Sequence, residues 1–394
     1  MQRRQLLRVL GGTAIVAASA GAAGYASLPT AMPAEATAPW QGPGADAAGD
    51  LRRQLLSYAM LAPHAHNLQS WAVDLSEPNA ITLYCDLERL LPQTDPLSRQ
   101  VLMSHGTFLE LLDLAARQHG MRADIRLFPQ GVFSPQALDA RPVARIVLVA
   151  QPGLARDPLF AQVQARHTNR AAYDGARPVP AAAVAAMRQA AGASATVGFV
   201  GMDQPALAAQ HRTLASQAWR TELTTPHTVM ESMHLLRVGT AEVAQHRDGI
   251  HLLDTFPVAL DRLGLLDRNA PPAGYALDVQ LQEFDAKLAS TPGFLWVSTA
   301  DNSRTSQIAA GRAYVRAQLA ATQQGLSFHP LSQALQEYPE QADAYQSIHA
   351  LTGATAQGHT LQMWVRVGYA PPGGPSPRRP LQTLIRSEFP RPAL

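Results

Sequence analysis

The chain has very few thiols and primary amines, and its acidic and basic residues nearly balance. Cys85 is the only cysteine and Lys287 the only lysine among 394 residues. One thiol cannot support a disulfide framework, an iron–sulfur cluster or a thiolate zinc site. A formal net charge of +2 creates no field that would attract nucleic acid or an anionic membrane, so we expect no nucleic-acid partner. Any anion site must be built from arginine and backbone amides.

The sequence also lacks the short motifs of several enzyme classes. It has no Gly-x-Ser-x-Gly nucleophile elbow, no P-loop, no His-Glu-x-x-His zinc motif and no Rossmann glycine fingerprint. A hydrolase or a metal enzyme stays open as an alternative that no motif promotes. With 46% hydrophobic residues, the chain has enough apolar material for one large domain or two ordinary ones.

The N-terminus has the order of an export signal. Arg3 and Arg4 precede a short apolar stretch over 9–23 that is rich in small residues and weakly hydrophobic for a membrane span. We interpret 1–26 as a twin-arginine (Tat) signal. We therefore expect the Tat machinery to export the protein to the periplasm, with a membrane tether if the signal is not cleaved. Residues 27–50 are rich in Pro, Ala and Gly and are predicted to form a linker.

An internal repeat organises the rest of the chain. Six positions recur at a fixed offset of 205, and each copy is helical in period and bracketed by strand-like runs. Chance similarity between two Ala-rich helices is the alternative. The repeat predicts an α+β chain of two related halves, 51–152 and 153–390, packed as a pseudo-dimer. Residues 219–284 have no counterpart in the first half and are predicted to be a helical insertion. The repeated positions are Arg99, Gly106, Leu114, Ala115, Ala116 and Gly120 with Arg304, Gly311, Leu319, Ala320, Ala321 and Gly325.

Two segments could bind a ligand through charge and amide groups. Arg166 and Arg170 lie four residues apart with Thr168 between them, so they could converge on one phosphate; a solvated surface cluster is the alternative. In the segment Pro63–Trp71, Asn67 and Gln69 could offer donor and acceptor edges to a heteroaromatic ring such as a flavin. His64 and His66 could instead bind a metal, but no third ligand lies nearby in the sequence, so no metal site is expected.

Two later loops could complete such a site. One follows a helix stop at Gly325, and its backbone could approach a ligand ring. The other follows the last predicted strand and ends in a basic pair that could finish a phosphate site, or could be an exposed tail. The candidate residues of these loops are Gly325, Leu326, Pro330 and Leu331 in the first and Arg378 and Arg379 in the second.

Four segments in this order resemble the nitroreductase superfamily of FMN proteins, above all its Acg-like branch, in which two nitroreductase-like halves are fused. The likeness covers 51–384. Members carry an Arg-x-Ser-x-Arg motif, a Pro-Ser-x-x-Asn-x-Gln-Pro-Trp segment, a Gly-Leu loop with a later Pro, and a Gly-Tyr turn before basic residues. In this chain Thr168 and His64 replace the serines of the first two motifs, and Ser70 replaces the second proline of the second motif. The positions of the four motifs are Arg166, Thr168, Arg170, Pro63, His64, Asn67, Gln69, Ser70, Trp71, Gly325, Leu326, Pro330, Gly368, Tyr369, Arg378 and Arg379.

The resemblance implies an FMN-dependent oxidoreductase with a nitroreductase-like fold. Hydride would pass from NAD(P)H or another reductant, through the flavin, to an unknown small-molecule acceptor, and no side chain would have to act as nucleophile or general acid. Each matching motif occurs in one half only, which implies one FMN per chain. The insertion at 219–284 would be a lid on which Met230 and Met233 pack down over the flavin.

Two other functions stay open on the same resemblance. The lid could close the site, so that the protein sequesters or stores FMN with little or no turnover. Alternatively, the halves could be a catalytically dead remnant without flavin. In each case the fused pseudo-dimer is expected to be a monomer or a loose homodimer.

Overall fold

The computed structural model describes Leu28 and residues 30–386. The predicted export signal, 1–26, lies outside the described residues. The helices are α1 (Ala34–Thr37), α2 (Leu51–Ala59), α3 (Arg99–Gln118), α4 (Ala181–Ala191), α5 (Pro205–Thr224), α6 (Pro226–His234), α7 (Gly239–His246), α8 (Thr255–Arg262), α9 (Tyr275–Ala289), α10 (Arg304–Gln323), α11 (Ala342–Leu351) and α12 (Ala354–Gln357). The strands are β1 (Trp71–Asp74), β2 (Ala80–Cys85), β3 (Met121–Leu127), β4 (Pro142–Ala150), β5 (Thr196–Val200), β6 (Leu236–Val238), β7 (Ile250–Leu252), β8 (Gly293–Thr299), β9 (Ser327–Pro330) and β10 (Thr360–Gly368).

Each half builds an antiparallel sheet with the same strand order. The first sheet runs β1-β2-β4-β3 and the second β5-β8-β10-β9. In each half one long helix, α3 or α10, connects the second strand to the third. This shared order confirms the predicted α+β chain of two related halves. The proposed boundary at 152/153 stays a prediction.

The two repeat helices cross at their repeated glycines. Gly106 of α3 lies against the carbonyl of Ile308, and Gly311 of α10 lies against the carbonyl of Met103. Met103 and Ile308 are themselves separated by the repeat offset, so the contact is reciprocal, as in an isologous dimer interface. A Cβ atom at either glycine would overlap the backbone of the other helix. The pseudo-twofold axis therefore passes through this crossing.

The first residue of each repeat helix reaches into the opposite half. Arg99 is fully buried; it donates to the carbonyl of Gln362 at 3.1 Å and pairs with Glu337 at 3.2 Å. Arg304 donates to the carbonyl of Leu97 at 2.8 Å. Because a buried charge needs a partner, these reciprocal contacts hold the halves in register. The largest hydrophobic cluster contains residues of both halves.

The segment predicted as a linker packs on the molecule in its described part. Ala36, Trp40 and Ala47 are buried. The Trp40 indole N–H donates to the carbonyl of Ser376 at 2.8 Å, and the carbonyl of Ala36 accepts from the amide of Arg378 at 2.8 Å. Composition predicted a linker over 27–50, and that prediction stays untested as a domain boundary; in its described part, Trp40 supplies apolar area that anchors the segment.

The insertion joins β5 to β8 and therefore spans 201–292, more than the predicted 219–284. It holds five helices, α5 to α9, and the small parallel sheet β6-β7. Its Glu231 carboxylate accepts from the backbone amides of Gln93 and Thr94, both at 2.9 Å. The insertion thus covers part of the first half. Within the described residues, no helix is both long and apolar enough to cross a membrane.

Candidate functional site

The turn between α2 and β1 has an unusual backbone. His66, Asn67 and Gln69 have φ values of +48°, +54° and +55°. This left-handed region is uncommon for residues other than glycine, and such strain concentrates at functional sites. The turn faces the insertion, because the carbonyl of Asn67 accepts from the amide of Gly249.

The amide of Asn67 is used by the protein itself. Its Nδ2 donates to the carbonyl of Pro377 at 3.1 Å, and its Oδ1 accepts from Arg378 Nη1 at 2.8 Å. Arg378 Nη2 also donates to the carbonyls of Leu61 and Ala62, at 3.0 and 3.1 Å. Arg378 was predicted to finish a phosphate site, yet both of its terminal nitrogens bind protein oxygens. Its contacts hold the C-terminal segment around Arg378 against the turn between α2 and β1.

Gln69 is likewise enclosed. It is fully buried, its Nε2 donates to the carbonyl of Arg247 at 2.9 Å, and its Oε1 accepts from the amide of Arg379 at 2.9 Å. Arg379 Nη1 lies 3.4 Å from the carbonyl of Gln69. The donor and acceptor edges that the sequence suggested for a ring, at Asn67 and Gln69, are therefore both occupied. They join the turn to the insertion and to the C-terminal segment.

Arg166 is a buried support of the same kind. Its Nη1 donates to Gln318 Oε1 at 3.1 Å and its Nη2 to the carbonyl of Leu61 at 2.8 Å. Burial lowers its pKa to about 10. The Trp40 ring lies between two guanidinium groups, 5.5 Å from that of Arg166 and 4.9 Å from that of Arg378, an attractive cation–π arrangement. Sequence reasoning missed Trp40, which it placed in a linker.

Arg170 differs from the other predicted arginines. It is exposed, and its guanidinium has no hydrogen bond or ion pair with any residue that the structure describes. Neighbouring protein atoms nevertheless lower its pKa by desolvation, so the residue is exposed to solvent and still has protein around its guanidinium. The backbone bridge between Thr168 and Phe328 holds the motif against β9.

Neutral imidazoles surround this free guanidinium. Burial, together with the nearby charge of Arg170, lowers the pKa of His66 and of His251 to about 4 each. The same two causes hold the pKa of His329 well below its usual value, together with Arg366 and Lys287. His251 comes from β7 of the insertion, and no sequence motif had marked it. At neutral pH the space beside Arg170 is therefore lined by uncharged hydrogen-bonding rings.

His64 has no free coordination position in the structure. Its Nδ1 lies 2.8 Å from the carbonyl of Ala65, and its Nε2 accepts from the amide of Ser70 at 3.1 Å. Burial lowers its pKa to about 3. The neighbouring Pro63 carbonyl accepts from Thr107 Oγ1 at 2.9 Å. Among the described residues, no cluster of three or more His, Cys, Asp or Glu side chains could hold a metal ion.

The Gly-Leu segment is mainly structural. Gly325 follows the end of α10 with a φ of +71°, and Leu326 and Leu331 are buried in the two main hydrophobic clusters. Pro330 pairs with Val365 in the second sheet. The contribution of these residues to a ligand site stays a prediction.

No family model matches the chain. It is similar to two proteins from two strains of Mycobacterium tuberculosis, each named as a candidate NAD(P)H nitroreductase. The identity to each is 27% over 349 residues, and the alignment covers 84% of this chain and 90% of each relative. A candidate nitroreductase structure from Anabaena variabilis matches 85% of this chain and 91% of its own, with 10% identity and a TM-score of 0.42. The structure of nitroreductase NfnB from Mycobacterium smegmatis with NADPH matches 59% and 98%, with 17% identity and a TM-score of 0.36. The similarity to the two relatives over most of both chains supports the nitroreductase superfamily.

Proposed function

We propose that the chain binds one FMN where its two halves meet the insertion, and that it works as an FMN-dependent, NAD(P)H-using oxidoreductase of nitroreductase type. The four-segment resemblance to the Acg-like branch and the two similar NAD(P)H nitroreductase candidates support this function. The observation that carries it is Arg170, a guanidinium without a hydrogen bond or ion pair among the described residues, whose charge acts on the buried rings of His66 and His251.

The residues present fit the phosphate end of FMN. A phosphate dianion would satisfy Arg170, since guanidinium groups bind phosphate through paired hydrogen bonds. The uncharged rings of His66 and His251 can donate to a ligand without adding charge. Asn67 and Gln69 already make hydrogen bonds within the protein, and their predicted role at the ring end stays a prediction.

One site per chain follows from an asymmetry between the halves. The connection from α2 to β1 is the long strained turn over 60–70, whereas α4 is joined to β5 by residues 192–195 alone. The second half thus lacks a counterpart of the first-half turn whose His66 lies near Arg170. A symmetric second site has no such wall.

When bound, FMN would supply hydride transfer, which no amino-acid side chain provides. The chain would contribute three things. Arg170 would hold the phosphate, the insertion would exclude water, and the neutral imidazoles of His66 and His251 would orient the ligand. These groups do not determine which small molecule accepts the hydride.

Arg170→Ala tests the proposed site. We expect FMN to bind about 30-fold more weakly, because a charge-assisted contact contributes about 2 kcal/mol. Isothermal titration of the full chain with FMN measures this change. Arg156→Ala is the matched control, since Arg156 is exposed and has no partner in the described part of the chain. Equal FMN affinity in both variants would contradict the assignment.

Storage of FMN is a second candidate, and the fastening of the insertion favours it. Asp248 of the insertion is buried and binds Arg89 of the first half as well as Arg237 of its own segment. Such a closed lid would hinder a reductant. Anaerobic NADPH should bleach the flavin bands of an oxidoreductase, whereas a storage protein would be bleached by dithionite alone.

Export and assembly complete the proposal. The twin-arginine pattern at 1–26 supports Tat export to the periplasm, and the reciprocal helix crossing supports a chain that works as a monomer. Cell fractionation with and without Arg3→Lys and Arg4→Lys, followed by light scattering of the purified protein, tests both points.

A further inference from the structure

A buried carboxylate lies close to the candidate site and does not belong to the proposed FMN-binding residues. Glu222, near the end of α5, is 4% exposed and accepts from Gln336 Nε2 at 2.8 Å. It forms no ion pair within the described residues. An isolated buried carboxylate is costly unless it takes up a proton.

The surroundings of Glu222 favour its protonated form near neutral pH. Burial raises its pKa to about 7, and the negative charge of Glu231 on α6 adds to this; hydrogen bonds from Gln336, Gln333 and Ser232 offset only part of the rise. Tyr338, in the loop after β9, also faces Glu222. Glu231 and Tyr338 are thus titratable groups that act on Glu222, and neither is a cation.

Ser232 connects this carboxyl to the strained turn. Its hydroxyl interacts with Glu222 and lies 3.0 Å from Nε2 of His66. His66 in turn lies beside Arg170 and near His64, both of which face it. Three side chains from the insertion and the first half therefore form a hydrogen-bonding path from a buried acid to the ring of His66 near Arg170.

We propose that Glu222 passes protons through Ser232 to His66, and from there to a ligand beside Arg170. The Glu222 O–H bond breaks as its proton moves to Ser232 Oγ, while the original Ser232 proton moves to His66 Nε2. His66 releases the proton on Nδ1 to the ligand, and water reloads Glu222. The use of the path rests on the proposed function, because an acceptor that takes a hydride also needs a proton.

The path itself can be tested in the full chain without any ligand. Nitrogen-15 NMR follows the His66 ring across pH 5 to 9, with the signal assigned from its loss in His66→Gln. We expect an inflection near pH 7 that reports Glu222, that disappears in Glu222→Gln and Ser232→Ala, and that persists in Ser232→Thr. Glu231→Gln is the matched control: the inflection should remain and move to lower pH, because one neighbouring negative charge is gone.

An inflection that survives Glu222→Gln or Ser232→Ala, or that is absent from the wild type, would overturn the path. In FMN-loaded protein, Glu222→Gln should slow acceptor reduction about 100-fold and abolish its solvent deuterium isotope effect, with FMN affinity unchanged. Unchanged acceptor reduction with an unchanged isotope effect would also overturn it. A chain that binds no flavin would defeat the proposed function, and the NMR titration would still decide the path.

Discussion

Arg166, Arg170 and Arg378 have the same side chain but lie in two different environments. Arg166 and Arg378 are buried and bind carbonyl and amide oxygens of the protein, whereas Arg170 has no partner among the described residues. The spacing of Arg166 and Arg170 suggested that they converge on one phosphate, and the late basic pair suggested that Arg378 completes the same site. The difference arises from Leu61, which accepts from both Arg166 and Arg378 although it lies 105 and 317 residues away.

His211 offers a test of buried charge at the residue scale. It is fully buried, stacks on Phe294 at 5.2 Å, and has no hydrogen-bond partner on either ring nitrogen. Burial lowers its pKa to about 4. Because the folded-state pKa lies below the ordinary value of about 6.5, the stability that neutral His211 contributes is complete above pH 6.5 and is lost as the pH falls toward 4.

His211→Phe should therefore reduce the acid sensitivity of the fold. We expect the fall in Tm between pH 7 and pH 5 to be smaller than in the wild type, since Phe cannot take up a proton. Calorimetry at both pH values measures this. His119→Phe, at an exposed position, is the control and should leave the fall unchanged. A fall in His211→Phe as steep as in the wild type would contradict the argument.

At the scale of elements, the glycine crossing of α3 and α10 is the most constrained contact. Gly311→Ala places a Cβ atom against the carbonyl of Met103 and 3.1 Å from Cα of Gly106, so the helices must separate. We expect the free energy of unfolding to fall by about 3 kcal/mol. Urea denaturation checks this, with Gly374→Ala as control because nothing lies within 4 Å of its added methyl group. Equal losses in both variants would refute the crossing.

The insertion gives a second prediction at this scale. Asp248→Asn removes the charge that binds Arg89 and Arg237, so the insertion should open more readily. We expect FMN release, followed by flavin fluorescence in a stopped-flow instrument, to be about 10-fold faster, which corresponds to about 1.4 kcal/mol. Asp261→Asn is the control, because Asp261 pairs only with Arg268 inside the insertion. An unchanged release rate would show that Asp248 does not hold the lid.

For the whole molecule, the sequence predicts the two halves, the insertion and the central helices, because repeated glycines and helical periodicity are local signals. It misses β3, β5 and β9, which are sheet edges whose short or alternating pattern is weak. It also misses Trp40 and His251, and it does not predict the contacts that Asn67 and Gln69 make within the protein. These positions depend on contacts across hundreds of residues, such as that between Asn67 and Arg378, and no local pattern encodes them.

The most direct test of the account is the ratio of flavin to protein. The protein without the predicted signal at 1–26 is saturated with FMN and freed of excess flavin by gel filtration. Its flavin absorbance is then compared with its protein concentration. One fused pseudo-dimer with a single strained turn at 60–70 predicts one FMN per chain. A ratio of two, or a colourless protein, would contradict the account.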